Sequence, residues 1–311
     1  MARFRLGLVG AGRMGQTHMR AISGSDRVEV VAIAETSEAI RSTLKLPAGV
    51  KLHSEVEGML KAGGIDGALV AVPSAYHVNM VARLAVAGLS VLCEKPCGIT
   101  AREARVASEI AAKEKVLLQV AYWRRFVPQL KRLKDRIAQG EFGDLYLVSC
   151  YQWDETPPPA SFRATSGGAF VDMGVHEFDQ MRWLTGQEIS NLRVATAATA
   201  YAEKVEVDPD AAQALCDLSG GACGLVSLGR RFPLGDACWA QVFGTKGFED
   251  CRFFWPPESE KVFLDALRLQ AEGFADAVCG RPSEGATAAD AIAALIAAEQ
   301  ASAAIAKGRT R

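Results

Sequence analysis

The chain has 311 residues, 49% of them hydrophobic and 23% charged, the profile of a folded globular protein with room for two cores and not of a disordered or fibrous chain. Its 35 Lys and Arg nearly cancel its 36 Asp and Glu, which leaves no electrostatic footprint for nucleic acid or an anionic membrane and turns attention to small molecules. Eight cysteines (Cys93, Cys97, Cys150, Cys216, Cys223, Cys238, Cys251, Cys279) lie scattered, with no C-x-x-C pair and no histidines at zinc spacing, so they read as buried thiols in a reducing compartment and no metal site is expected.

The chain passes from Met1 into an apolar run at 4–9 and then a glycine turn, which leaves no room for the parts of a signal peptide. No run approaches the roughly 18 apolar residues of a membrane span, and a cytoplasmic protein is expected. Up to residue 121, β-rich runs at 4–9, 28–34, 67–71, 90–93 and 116–120 alternate with helical patterns at 14–23, 54–62, 74–87 and 100–114. That alternation predicts an α/β Rossmann-type domain built on a parallel sheet, its strands apolar because they are buried on both faces. Several of these helices start at a Ser or Thr that could cap them.

Beyond residue 121 the pattern changes. Strands are predicted at 145–153, 192–198, 212–218, 223–229 and 239–243, with Gly220-Gly221 as a hairpin turn between two of them. Hairpins imply antiparallel pairing, so 122–311 is expected to be an α+β domain on an open, mostly antiparallel sheet, against 1–121 as the Rossmann domain. Helices at 264–279 and 288–307 close the chain, and Pro157-Pro158-Pro159 makes a stiff loop.

Gly10-Ala11-Gly12-Arg13-Met14-Gly15 fits G-x-G-x-x-G after the first strand and at the opening of the first helix. The glycines allow a tight turn and let backbone amides reach a pyrophosphate at the positive helix end, so Gly10, Gly12, Arg13 and Met14 are candidate cofactor contacts. Such turns also join strand to helix for packing alone. Glu35 ends the second strand about twenty residues beyond Gly15, where a carboxylate can accept the adenine-ribose hydroxyls and repel a 2′-phosphate. NAD is expected over NADP, with Arg41 nearby keeping NADP open.

Leu92-Cys93-Glu94-Lys95-Pro96 stands at the carboxyl end of a predicted strand, where open α/β sheets present ligands. A lysine there can polarise a substrate oxygen while Pro96 restricts the backbone that aims it; a surface lysine before a turn has the same local pattern. Further on, Ser166-Gly167-Gly168 leads into a predicted helix on which Asp172, His176 and Asp179 follow i, i+4, i+7 as one polar line, beside an apolar line of Val171, Val175 and Phe178. An Asp and a His on one face suit a general base and its orienting partner, since an ordinary imidazole titrates near ~6.5. The alternative is a structural histidine held by a carboxylate. With four histidines in the chain, none paired at ligand spacing, metal binding is disfavoured.

These motifs together resemble the glucose-fructose oxidoreductase and inositol dehydrogenase family over nearly the whole chain. The likeness is carried by the glycine turn, Pro73-Ser74-Ala75-Tyr76-His77, Glu94-Lys95-Pro96, Arg124-Arg125-Phe126, the Ser-Gly-Gly helix with Asp172 and His176, Arg182-Trp183-Leu184, and Gly244-Thr245-Lys246-Gly247. The resemblance implies a Rossmann domain followed by an open-sheet domain through which copies assemble into dimers or tetramers. It implies Lys95, Asp172 and His176 as catalytic residues, and Pro73, His77 and Glu94, with Lys95, at the nicotinamide end of the dinucleotide. One departure is Trp123, which stands where inositol dehydrogenases often carry Asn before the two arginines.

The expected activity is therefore oxidation of a secondary hydroxyl of a cyclic polyol or sugar, an inositol first, by hydride transfer to NAD. His176 would take the hydroxyl proton, Lys95 would hydrogen-bond that oxygen, and Asp172 would orient the imidazole. Lys95, Arg124, Asp172 and His176 are the candidate substrate contacts; Trp123 and Trp153 are candidates for stacking on the ring, although large aromatics serve equally as core. Two rivals remain, a non-catalytic sensor that binds the dinucleotide on the same fold and a glycosidase that uses tightly held NAD.

Overall fold

The apolar runs of the sequence pair into two sheets in the computed structural model, which describes residues 2–197 and 208–308. In chain order the strands are β1 (Phe4–Val9), β2 (Val28–Ala34), β3 (Lys51–His53), β4 (Gly67–Val70), β5 (Val91–Cys93), β6 (Leu118–Val120), β7 (Leu145–Trp153), β8 (Ile189–Ala197), β9 (Ala211–Leu218), β10 (Cys223–Gly229), β11 (Ala237–Gly244), β12 (Phe248–Phe254) and β13 (Ala286–Thr287). The helices are α1 (Arg13–Ile22), α2 (Glu38–Arg41), α3 (Val56–Ala62), α4 (His77–Val86), α5 (Ala101–Lys113), α6 (Pro128–Ala138), α7 (Ala160–Thr165), α8 (Val175–Thr185), α9 (Ser259–Val278) and α10 (Ala288–Gly308). Two compact units result: Met1–Gly98, Arg102–Phe126 and Leu264–Ala289 form one, and Ile99–Ala101, Val127–Phe263 and Asp290–Arg311 the other.

In the first unit the sheet order is β13-β6-β5-β4-β1-β2-β3, parallel except for β13, which runs antiparallel to β6. The strand order runs outward from β1 in both directions, so β1 and β4 flank the point where it reverses, where a crevice is expected at their carboxyl ends. Leu6, Leu8, Ile33, Leu69 and Leu92 form the core with Phe274 of α9, whose ring meets Phe4 edge-on at 6.0 Å and 84°. Leu264–Ala289 thus belongs with the first unit, against the expectation of 122–311 as one domain. Periodicity marks 264–279 as an amphipathic helix, but it carries no information on which sheet the apolar face covers.

The second unit's sheet runs β12-β11-β7-β10-β9-β8. Its neighbours pair antiparallel, with one exception at the centre, where β7 and β10 are parallel and Cys223 to Gly229 align with Leu147 to Trp153. Helices α6 and α8 lie on one face, over the buried Val148, Cys150, Ala214, Val226, Ala240 and Val242. The alternate residues form the other face, with Tyr151 stacked on Trp239 at 4.4 Å and Phe243 against Phe248 at 4.6 Å.

Several local expectations are corrected. Short polar β3 and the edge strand β12 lack the apolar run that marks a strand in sequence, and α2 and α6 were likewise not foreseen. Helix α3 starts from Glu55 and α4 from Tyr76 without a side-chain cap, while a cap stands at Ser37, whose Oγ accepts the Ile40 N–H at 3.3 Å. Residue 198 of the predicted strand 192–198 lies outside the described residues. Among the free thiols Cys223 and Cys279 are exposed, not buried. The segment Ala288–Ile305 of α10 is, by length and mean hydropathy of 1.3, apolar enough to span a membrane; its alanines instead pack closely, with Ala291, Ala294, Leu295, Ala298 and Ala301 buried.

Phe274→Ala should destabilise the protein by about 3–5 kcal/mol, because it opens a cavity between α9 and the parallel sheet. Urea unfolding measures it, and a loss below about 1 kcal/mol would mean that this contact contributes little to the first unit.

Candidate active site

The glycine turn of the first unit has the shape a dinucleotide needs. Gly10 sits at φ +92°, and a Cβ there would meet the Ala71 carbonyl oxygen at 2.7 Å; a Cβ on Gly15 would lie 2.1 Å from the Gly10 oxygen. The first residue makes the turn and the third lets α1 press on β1. At Gly12, the N-cap of α1, an added Cβ would meet nothing within 4 Å, and no side chain caps the helix. The amides of the first turn therefore face open space at the positive helix end, a cradle that fits a pyrophosphate. Exposed Arg13 and half-buried Met14 open that turn.

Glu35 closes β2 as expected, yet its carboxylate is already engaged. Oε2 accepts the Ala11 N–H at 2.7 Å and Oε1 the Ser37 N–H at 2.8 Å, so the side chain braces the glycine turn, with further lone pairs left for a ribose. Arg41 is turned onto backbone, its Nη1 donating to the carbonyls of Glu35 and Thr36 at 2.7 and 2.6 Å.

At the carboxyl end of β5, Glu94 and Lys95 emerge beside His77 and His18. The His77 ring is buried, with Nδ1 2.7 Å from the Pro96 oxygen and Nε2 2.8 Å from the Val72 oxygen. It ties the loops after β4 and β5 together, while Pro73 is exposed at the start of the next turn. His18, absent from the sequence reading, is fully buried on α1 and places Nε2 2.6 Å from Glu94 Oε1, while Glu94 Oε2 accepts the Lys95 N–H at 3.1 Å. Burial opposes ionisation of Glu94, but the His18 hydrogen bond and the charges of His18, Lys95 and His77 outweigh it and hold the carboxyl below its ordinary range. Its position three residues after Gly15, facing the core side of α1, was the available signal for His18.

Trp123, Arg124 and Arg125 form a short 3₁₀ turn and are all buried, Arg124 at 2% exposure. In the amide orientation that satisfies both groups, Gln270 accepts the N–H groups of Tyr122 and Trp123 at 3.2 Å. This fixes the turn from α9 and gives Trp123 the character of core.

In the second unit the predicted catalytic helix is not one continuous α-helix. Gly167 and Gly168 at φ +87° and +86° turn the chain, then Phe170–Gly174 forms a π-helical turn before α8 begins at Val175. A π-turn adds a residue to the repeat and swings Asp172 off the i, i+4 line, a distortion that recurs at functional sites. Nor does α8 have a solvent-facing polar line: His176, Glu177, Asp179 and Gln180 are all buried, His176 at 6% exposure. Asp172 Oδ2 accepts from Arg230 Nη2 at 2.9 Å.

Arg230, also missed in sequence, follows β10 directly as Asp154 follows β7, and the parallel pairing of those strands sets them side by side. Its Nη1 donates to Asp154 Oδ2 at 3.0 Å, and its Nε and Nη2 both reach Asp208 at 3.1 Å. Burial works against the Arg230 charge, but Asp172, Asp208 and Asp154 overcome it and push the guanidinium above its usual range. Burial also pushes the carboxyls of Asp154 and Asp208 up, against the pull of Arg230. Trp153 is packed on the sheet, its Nε1 donating to Ser227 Oγ at 3.2 Å and its ring filling the space a side chain at Gly229 would need. Among the described residues, no group of three His, Cys, Asp or Glu side chains is arranged to hold a metal ion.

Comparison with known proteins places both sheets in one family. Residues 4–122 match the oxidoreductase family with an NAD-binding Rossmann fold, and residues 130–248 match the GFO/IDH/MocA C-terminal domain. The rhizopine catabolism protein MocA of Rhizobium meliloti is 61% identical over 97% of this chain and 95% of its own length. Inositol 2-dehydrogenase of Rhizobium meliloti strain 1021 is 30% identical over 78% of this chain and 74% of its own. The crystal structure of a putative myo-inositol dehydrogenase from Sinorhizobium meliloti 1021 superposes with a TM-score of 0.91, at 26% identity and 98% coverage of both chains.

The depressed Glu94 carboxyl contributes stability that is present above its ordinary value of 4.5 and is lost as pH falls through its folded value. Glu94→Gln should therefore lower the urea midpoint at neutral pH, with the gap to the parent closing as the solution is acidified below that value. A gap constant through the acid range would remove the ionised Glu94–His18 contact from the stability of the turn.

Proposed function

The chain belongs to the oxidoreductase family with an NAD-binding Rossmann fold and a GFO/IDH/MocA C-terminal domain, and from that membership we propose that it oxidises a secondary hydroxyl of a cyclic polyol or sugar, an inositol first. The observation that carries the substrate class is the carboxylate pair Asp154 and Asp172. Both bond Arg230 and both keep part of their surface open, 20% and 14%. Carboxylates held in fixed directions and partly open to solvent are acceptors for the hydroxyls of a polyol. A cavity of about 490 Å³ is lined by Glu155 and Thr156, which follow Asp154 in the chain, and by Arg231, Phe232 and Pro233, which follow Arg230, so the loop after Trp153 supplies part of its wall.

Bound NAD supplies the hydride acceptor. Gly10, Gly12, Arg13 and Met14 hold its pyrophosphate, and Glu35 favours an unphosphorylated ribose. His176 takes the proton of the reacting hydroxyl, and Asp172 stabilises the imidazolium so formed. Lys95 donates a hydrogen bond to the substrate oxygen, with Glu94 and His77 holding the loop that carries it. Arg124 supports the reading less directly, since its side chain is almost wholly buried, and Trp153 serves the sheet instead of stacking on a ring. Rhizopine is the second substrate to test, because the 61% identical relative carries that name. The setting is the cytoplasm, with no nucleic-acid or membrane partner.

Kinetics on a panel of inositols, pyranoses, rhizopine and simple alcohols, with NAD and NADP, tests the assignment. Turnover of a cyclic polyol with release of free NADH, preference for NAD, and a narrower preference in Glu35→Ala are expected. His176→Ala and Lys95→Ala should keep NAD binding and lose about 10²- to 10⁴-fold in turnover. Turnover of linear alcohols alone would overturn the substrate class, parent rates in either variant would overturn the roles, and no NADH release on any substrate would favour the sensor or the glycosidase.

We also assign the aromatic face of the second sheet as the surface through which copies associate into dimers or tetramers. Phe248 and Leu215 are 53% and 49% exposed there, and a second copy laid on that face would cover them. Sedimentation should show an oligomer that Phe248→Asp with Leu215→Asp weakens; a monomer in the parent would refute the assignment.

A further inference from the structure

The cluster around Arg230 is asymmetric. Asp208 is fully enclosed and takes the guanidinium in a two-pronged grip through Nε and Nη2. Arg163, buried at 3% and donating to the Pro158 oxygen at 3.0 Å, stands 4.0 Å from the same carboxylate. The remaining donors of Arg230 point to the two carboxylates that keep an opening, Nη1 to Asp154 and Nη2 to Asp172. A planar fork gripped on one side presents its other N–H groups in fixed directions, which an ammonium on a flexible stem cannot do. Because the π-turn frees Asp172 from the α-helical line, its direction has to be set from outside the helix.

We propose that Arg230, anchored on Asp208, is a positioning residue that fixes the direction and the ionised state of Asp172 for turnover. The proposal rests on the reading that Asp172 acts in the reaction. The charged groups facing Asp172 in this cluster are Arg230, Asp154 and Asp208, with Arg163 behind Asp208 and His176 next along the same helical segment. Two other carboxylates close by favour a protonated Asp172, and the guanidinium at 2.9 Å opposes them. A neutral Asp172 would stabilise an imidazolium far less, so Arg230 acts on the reaction through Asp172 without touching substrate.

Two variants test this. Arg230→Lys keeps the charge and loses the fork. Arg230→Met with Asp208→Asn removes the guanidinium together with its buried counter-charge, which avoids adding an unpaired buried ion and favours a folded product. For each, thermal unfolding reports the fold, fluorescence titration reports NAD affinity, and carbon-13 NMR of Asp-labelled protein, assigned with Asp172→Asn, follows the Asp172 carboxyl directly without turnover. The pH profile of kcat is recorded with myo-inositol. The expected result is parent-like NAD affinity and a kcat lower by about tenfold to a hundredfold in both variants, with the acid limb and the Asp172 titration moved to higher pH in the Met/Asn variant, which has lost the cation, and less so in Arg230→Lys. A merely structural role lowers the unfolding temperature and moves neither.

Folded variants with the parent's kcat, acid limb and Asp172 titration would overturn the proposal while Asp172→Asn remains inactive. If Asp172→Asn itself turns over at the parent rate, the catalytic reading of Asp172 fails, and the proposal with it.

Discussion

A guanidinium at 2% exposure can persist in a folded chain only if carboxylates surround it, and Arg230 collects three. Each comes from a different element: Asp154 from the end of β7, Asp172 from the π-turn before α8, and Asp208 from the approach to β9. The constraint reaches back to the pairing of the sheet. If β7 and β10 ran antiparallel like their neighbours, Asp154 and Arg230 would emerge at opposite ends and could not meet. One parallel pair in an otherwise antiparallel sheet is therefore what gathers the polar groups of the second unit at a single edge.

The first unit obeys the same geometry by a different route. Every strand of its sheet but the short β13 runs one way, so the turn after β1, Glu35 after β2, Val72 after β4 and Glu94-Lys95 after β5 all leave at the carboxyl end. Their mutual support comes from backbone contacts made by side chains: Glu35 on Ala11, His77 on Val72 and Pro96, Glu94 on Lys95. Residues that look in sequence like ligand contacts are thus largely the frame of the site. A frame of this kind costs no reorganisation when a ligand arrives, which is how fixed dipoles become useful to a reaction.

Much of this was legible in the sequence because the relevant signals are local. Buried parallel strands announce themselves as apolar runs, as with 4–9 and 28–34, and the glycine turn is defined by spacing alone. What escaped was decided at long range. Arg230 stands next to Arg231 in a loop and looks like any surface cation until β10 is known to lie parallel to β7. The π-turn at Phe170–Gly174 carries an apolar pattern that an α-helix would share, so nothing local in the sequence marks the extra residue in its repeat. The affiliation of Leu264–Ala289 depends on Phe274 finding Phe4, some 270 residues away in the chain. Trp153 read as a ring platform because nothing in the sequence marks Gly229 as the space it fills.

The proposed roles also set a limit on how strongly Asp172 can assist His176. A carboxylate already bonded to a guanidinium attracts a second cation less than a free one does, because the same charge is shared. On the proposed roles, Arg230 would weaken the pull of Asp172 on an imidazolium even as it favours the ionised form of Asp172. The compromise suits a base that must release its proton again. An aspartate held by the imidazolium alone would bind that charge more tightly and slow its return to the neutral form, whereas one shared with Arg230 would let the proton leave more readily in the second half of a turnover.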